Sequence, residues 1–183
     1  MVLLQRMETE IITTYVSLGS NLGDRAGNLL LAVRGLTEAS FIVHRLSAVY
    51  ETEPVGVLGN QPNYLNMVAE IRVINISPSQ MLARMLRIEY LLGRRRIEPQ
   101  APRTVDLDLL LYGDQIVESD FLTIPHPRLH LRNFVLVPIV EIAPHIVHPV
   151  LNATMQELLD NSEDQSKVER WQPIVNEHLA VGS

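Results

Sequence analysis

The chain contains no cysteine, carries no net positive charge and has no long apolar run, and each of these gaps removes a class of protein. Without cysteine, neither a disulfide framework nor a thiolate metal site is available. A formal net charge of −6 leaves no basic face for a nucleic-acid backbone, so an anionic ligand has to be met by local arginines or by bound metal. A membrane-spanning helix takes about 20 consecutive apolar residues, and the apolar stretches here stop well short of that. Arg6, Glu8 and Glu10 break up the N-terminal apolar residues, which argues against a signal peptide. Internal repeats and low-complexity segments are absent as well.

What is present is ordinary globular material. In 183 residues, 46% hydrophobic and 20% charged, there is enough mass for one well-packed core. The expected organisation is a leader over residues 1–12, a single domain over 13–160 and a polar tail over 161–183. The expected setting is the cytoplasm, with small-molecule ligands.

The pattern along the chain predicts short strands and helices. Thr13 to Leu18 reads as a first strand, and a helix follows through Leu29, Leu30, Val33 and Leu36 with Asp24 as its N-cap. Phe41 to Tyr50 reads as a second strand, and Glu51 to Pro62 as a long loop rich in glycine and proline. From Tyr64 to Val73 the chain alternates, with Leu65, Met67, Ala69 and Ile71 on one face and Tyr64, Asn66, Val68 and Glu70 on the other. Ser77-Pro78-Ser79-Gln80 combines an N-cap, a first-turn proline and a capping-box glutamine, and it opens a helix that runs to Gly93. A short strand is expected around Ile116. Between Arg132 and Ile142 a partly helical segment is expected, with Pro138 limiting where the helix can begin. Short strands with hairpin-like connections favour an α+β class, an antiparallel sheet with helices packed on it.

The most informative stretch runs from Ala101 to Leu111. It reads as a strand in which Asp106 and Asp108 leave on one face and Val105, Leu107 and Leu109 on the other. Two ionised carboxylates side by side repel each other, and a hard cation such as magnesium relieves that repulsion. Arg103, just ahead, suits a phosphate. Arg94, Arg95 and Arg96 lie between a helix C-terminus and this strand, where they serve either the helix dipole or a polyphosphate. Glu89, a turn earlier, is placed for a helix-face ion pair or for a ligand hydroxyl. Tyr64 and Asn66, on one strand face, pair a stacking ring with an amide that both donates and accepts, which suits a flat heterocycle. Phe134 is a second candidate ring. His126, between two prolines and near Arg128 and Arg132, is a further phosphate candidate.

In order and spacing these residues resemble the 6-hydroxymethyl-7,8-dihydropterin pyrophosphokinases of folate biosynthesis. The resemblance spans about residues 14 to 155. It rests on Ser17-Leu18-Gly19-Ser20-Asn21-Leu22-Gly23, on Tyr50-Glu51-Thr52-Glu53-Pro54 and on Gln61-Pro62-Asn63-Tyr64-Leu65-Asn66. It continues through Arg87-Ile88-Glu89, Gly93-Arg94-Arg95-Arg96, the segment Pro102 to Asp108, and Pro125-His126-Pro127-Arg128.

The resemblance implies a ferredoxin-like fold and transfer of the β,γ-pyrophosphoryl unit of ATP to the pterin hydroxymethyl group, releasing AMP. It implies two magnesium ions on Asp106 and Asp108. The pterin would lie between Tyr64 and Phe134, with Asn66, Thr52 and the backbone near Val55 reading its edge. Arg94, Arg96, Arg103, His126 and Arg132 would contact phosphates, with catalytic weight on Arg94, Arg96, Asp106 and Asp108. Glu89, Leu109 and Thr123 would lie around the nucleotide, and other enzymes of folate synthesis are possible partners. The loop 97–101 lacks the tryptophan some members carry, Ala101 replaces a usual glycine, and Phe121 and Pro127 replace an arginine and a tyrosine found in some members. Both loops, 51–62 and 94–102, are expected to close over bound substrates. A different Asp-x-Asp metal-dependent nucleotide transferase would leave Tyr64 and Asn66 without a purpose. A silent binding module would leave the two carboxylates without one.

Overall fold

In the computed structural model the described residues are 10–54, 61–94 and 101–173. Val55 and Arg96 therefore lie outside the described residues, as do the central parts of the two loops expected to close.

The order of elements is β1 (Ile11–Ser20), α1 (Arg25–Glu38), β2 (Ile42–Leu46), β3 (Tyr50–Thr52), β4 (Tyr64–Ile74), α2 (Pro78–Leu91), β5 (Asp106–Tyr112), β6 (Val117–Glu118), β7 (Thr123–Ile124), α3 (Asn133–Ile142), α4 (Met155–Asp160) and β8 (Val168–Arg170). The main sheet is antiparallel, in the order β5-β1-β4-β3-β8, and β2 pairs with β4 further along the same strand. β6 and β7 form a separate two-stranded ribbon.

Alternation along the strands sorts the side chains into two layers. Val16 and Leu18 of β1, Leu65, Met67, Ala69 and Ile71 of β4, and Leu107 and Leu109 of β5 all face α1 and α2. There they meet Leu29, Ala32 and Leu36 of α1 and Met81, Met85 and Ile88 of α2. The opposite face places Tyr15, Val68 and Leu110 against Leu136, Ile139 and Ile142 of α3 and Met155 of α4. A register shift between β1 and β5, from Tyr15↔Leu111 to Val16↔Leu109, lets Leu110 and Leu111 both join this second core. The helix starts follow the expected chemistry. Asp24 accepts from the Gly27 amide at 3.0 Å, and Ser77 and Gln80 form a reciprocal capping box.

Four expectations change. β1 begins at Ile11, inside the segment expected to be a leader, because residues 11–14 continue the ladder against 71–74 of β4. The single strand expected over 41–50 is broken into β2 and β3. Between them the Ser47 hydroxyl accepts from the Val68 amide at 2.9 Å and takes the place of a ladder partner. Pro138 does not set the start of α3, which already runs from Asn133, so the proline sits inside the helix and is buried there. Finally, the segment expected to be a polar tail supplies β8, whose residues pair Val168↔Thr52, Glu169↔Glu51 and Arg170↔Tyr50.

Candidate active site

On its second face the sheet is covered by α3 and α4 only toward one end. At the other end Ser17 and Gly19 of β1, Tyr64 and Asn66 of β4, and Asp106 and Asp108 of β5 stand open, and they floor a cavity of about 770 Å³. Register brings them together: Gly19 is paired with Asn66 on one side and with Asp106 on the other, and Ser17 is paired with Asp108. A β-carbon at Gly19 would stand 2.8 Å from Asn66 Oδ1 and 4.0 Å from the Asp106 β-carbon. Glycine is therefore the residue that lets an amide and a carboxylate share this floor.

One end of the cavity combines two aromatic rings with polar edges. Thr52, Tyr64, Asn66 and Phe134 line it together. Asn66 Nδ2 donates to Thr52 Oγ1 at 2.7 Å, and both side chains are buried. That bond sets the orientation of the amide and leaves its oxygen as an acceptor in the cavity. Phe134 opens α3, and the Arg132 guanidinium lies over its ring, 5.3 Å from the centroid.

The other end is electrostatic. Arg94 bonds both Glu89 and Asp106, the latter at 2.5 Å, and Arg103 bonds the second oxygen of Asp106 at 2.5 Å. Glu89 is buried and also accepts from the Leu107 amide at 2.8 Å, so it ties α2 to β5. The Arg103 backbone is fixed in turn: its amide donates to Asn21 Oδ1 at 2.8 Å, and its carbonyl accepts from the Asn21 amide at 3.2 Å. Arg128 and Arg132 complete the cationic wall.

Among the described residues, none makes such a neutralising contact with Asp108. Its burial, reinforced by the neighbouring Asp106 carboxylate and opposed by Arg132, raises its pKa from 3.8 to about 6. Burial, together with Arg132 and Arg128, lowers the pKa of His126 to about 4, so its imidazole is neutral at physiological pH. The Arg128 amide donates to His126 Nδ1 at 3.2 Å, which assigns the ring proton to Nε2.

The donors of Asp106 and Asp108 are of the kind that could hold magnesium. No cluster of three or more potential ligand residues exists among the described residues. A two-carboxylate site suits magnesium, which keeps waters and takes its remaining ligands from substrate phosphates.

The cavity thus unites Thr52, Tyr64, Asn66, Arg94, Arg103, Asp106, Asp108, Arg132 and Phe134. Other candidates fall elsewhere. Leu109 is buried in the core under α1 and α2, on the face of β5 opposite the carboxylates, because side chains alternate along the strand. Its side chain is thus not a cavity contact. Thr123 is exposed on β7, and neither it nor His126 lines the cavity. Glu89 lies behind Arg94, and its part is to hold that arginine and β5. The cavity also includes residues to which the sequence assigns no role: Ser17 and Glu53, which lie in the quoted motifs, and Leu131, Glu163 and Asp164.

Residues 15–144 match the family model for 7,8-dihydro-6-hydroxymethylpterin-pyrophosphokinase. The chain belongs to this family. The pyrophosphokinase of Haemophilus influenzae is 41% identical over 140 residues, covering 76% of this chain and 86% of that protein. That of Aquifex aeolicus is 36% identical over 146 residues, covering 79% and 89%. Among solved structures, a Plasmodium falciparum HPPK-DHPS crystal structure superposes with a TM-score of 0.66 at 16% identity. The match covers 87% of this chain and 47% of that longer one, and at this identity it speaks for the fold alone.

Proposed function

We propose that the cavity seats ATP along its arginine wall and the pterin between Tyr64 and Phe134, with Asp106 and Asp108 between the two substrates. The chain is a pyrophosphokinase: it transfers pyrophosphate from ATP to 6-hydroxymethyl-7,8-dihydropterin in folate biosynthesis. The observation that carries the placement is the Asn66–Gly19–Asp106 row across three strands. It sets a pterin-reading amide and a metal-type carboxylate one glycine apart.

The pterin hydroxyl oxygen attacks the β-phosphorus and gives up its proton to water, the bond from that phosphorus to the α,β-bridging oxygen breaks, and AMP leaves. Such transfer asks the protein for in-line placement and charge neutralisation more than for covalent chemistry. Magnesium, two ions in this reading, would be held by Asp106 and Asp108 and would neutralise phosphate charge. Glu89 holds Arg94 and Asn21 fixes the Arg103 backbone, so both arginines stay beside Asp106, from which their guanidiniums turn to the phosphates once that carboxylate binds magnesium. Asn66, fixed by Thr52, orients the ring so that the hydroxymethyl group points toward Asp106.

The βαββαβ succession β1-α1-β2/β3-β4-α2-β5, with spatial order β5-β1-β4 and then β2 and β3, supports a ferredoxin-like reading of the fold. Among the described residues no helix is long and apolar enough to cross a membrane. We place the enzyme in the cytoplasm, where other folate enzymes are candidate partners. The test is AMP formation from ATP by the purified protein. AMP should appear only with both pterin and magnesium present, and AMP formed without regard to the pterin would overturn the placement.

A further inference from the structure

Residues beyond the part matched by the family model run back across the active-site cavity. Asp164 accepts from the Asn133 amide through Oδ2 at 2.7 Å, and its own carbonyl accepts from Asn133 Nδ2 at 2.7 Å. Asn133 is the first residue of α3, and the preceding Arg132 makes no side-chain cap to the helix. The Asn133 amide at the start of α3 is therefore capped by a carboxylate from 31 residues downstream. Asp164 Oδ1 accepts from the Ser166 amide at 2.9 Å, which fixes the carboxylate in place. Just beyond, β8 adds to the edge of β3 with Val168 opposite Thr52, and the Trp171 amide donates to the Val49 carbonyl at 2.9 Å. The segment is thus anchored on both walls of the pterin end: on β3, which carries Thr52, and on α3, which carries Phe134. Glu163 and Asp164 themselves line the cavity.

We propose that Asp164 is a positioning residue for the pterin, acting through the first turn of α3 to hold Phe134 opposite Tyr64. The inference rests on the pterin placement given above. The phosphate end is held differently. Arg94 and Arg103 are tied to Glu89, Asp106 and Asn21, none of which touches this segment, whereas Arg132 adjoins α3 and stacks on Phe134, so loosening α3 should weaken the pterin more than ATP and touch ATP only through Arg132.

The experiment is steady-state kinetics on full-length Asp164→Ala, Asp164→Asn and Tyr64→Ala. Loss of a charge-assisted cap predicts a rise of about tenfold in the pterin KM for Asp164→Ala, with a clearly smaller rise, about threefold or less, in the ATP KM through Arg132. Asp164→Asn keeps one acceptor oxygen and should recover part of that loss. A parental pterin KM in Asp164→Ala, alongside a raised one in Tyr64→Ala, would overturn the positioning role alone. Equal rises in both KM values, unrelieved by asparagine, would mean general destabilisation and would overturn it as well. A parental pterin KM in Tyr64→Ala would remove the placement and this inference together.

Discussion

Replacing Asp108 by asparagine removes one charge and keeps the shape of the side chain, so it isolates what that charge does to the ligand-free protein. Burial and the adjacent Asp106 raise the Asp108 pKa from 3.8 to about 6. The folded protein therefore holds the proton more tightly than the unfolded chain does. Any stability tied to that proton is present below pH 3.8 and is lost as the pH rises through about 6. Two pKa units correspond to roughly 3 kcal/mol, and solvent at the cavity mouth reduces this to about 2 kcal/mol. Asp108→Asn should therefore be more stable than the parent at about pH 8, by some 4–8 °C in unfolding midpoint for a chain of this size. At about pH 4.5 the gap should shrink to roughly a third. The assay is urea and thermal unfolding at both pH values, with chelator and without nucleotide. Magnesium with a non-hydrolysable ATP analogue should then stabilise the parent and not the variant, narrowing or reversing the order. Equal or lower stability of Asp108→Asn at about pH 8, or a gap indifferent to pH, would refute the reasoning.

Three further outcomes follow from the same geometry. Asp106→Ala should cut turnover by two or more orders of magnitude. It should leave pterin binding close to the parental value, and calorimetric titration with pterin alone separates the two. Gly19→Ala brings a methyl group to 2.8 Å from Asn66 Oδ1, so the amide has to turn away from Thr52. The pterin KM should rise about tenfold in steady-state assays, and an unchanged KM would show that Asn66 does not read the ring. Glu89→Ala leaves the Arg94 guanidinium and the buried Leu107 amide without their shared acceptor. It should lower unfolding free energy by about 3 kcal/mol, measured in urea, with turnover falling because Arg94 is no longer held.

The parts of the site that strand alternation controls were legible in the sequence. Asp106 and Asp108, and Tyr64 and Asn66, do share one face, because a period of two is a local property that needs no knowledge of neighbours. That the two pairs face one cavity depends on the pairing of β1 with both β4 and β5, and no local pattern encodes that register. The same limit explains Asp164. A polar residue in a weakly patterned segment has no periodic signature, and its role comes from an α3 amide distant in sequence. Leu109 shows the converse. Its place in the Asp-x-Asp strand drew it toward the nucleotide by resemblance, although the alternation that marks the aspartates sends its side chain into the core.

The sheet divides its labour between its faces, and that division explains how the molecule tolerates an unfavourable site. Beneath α1 and α2 the face is mostly apolar and carries the larger core. The opposite face is only half covered, by α3 and α4, and its open half holds Asp108, whose charge burial disfavours in the ligand-free fold. Each functional strand therefore contributes alternate residues to packing and to chemistry: Leu18 and Leu107 below, Gly19, Asp106 and Asp108 above. A substitution on the apolar side should act mainly through stability, and one on the cavity side mainly through KM or turnover. Asp108 is the informative exception, because its charge disfavours the ligand-free fold while, in the proposed placement, it would hold magnesium in the bound state. Gains in stability from altering it should come only with loss of function.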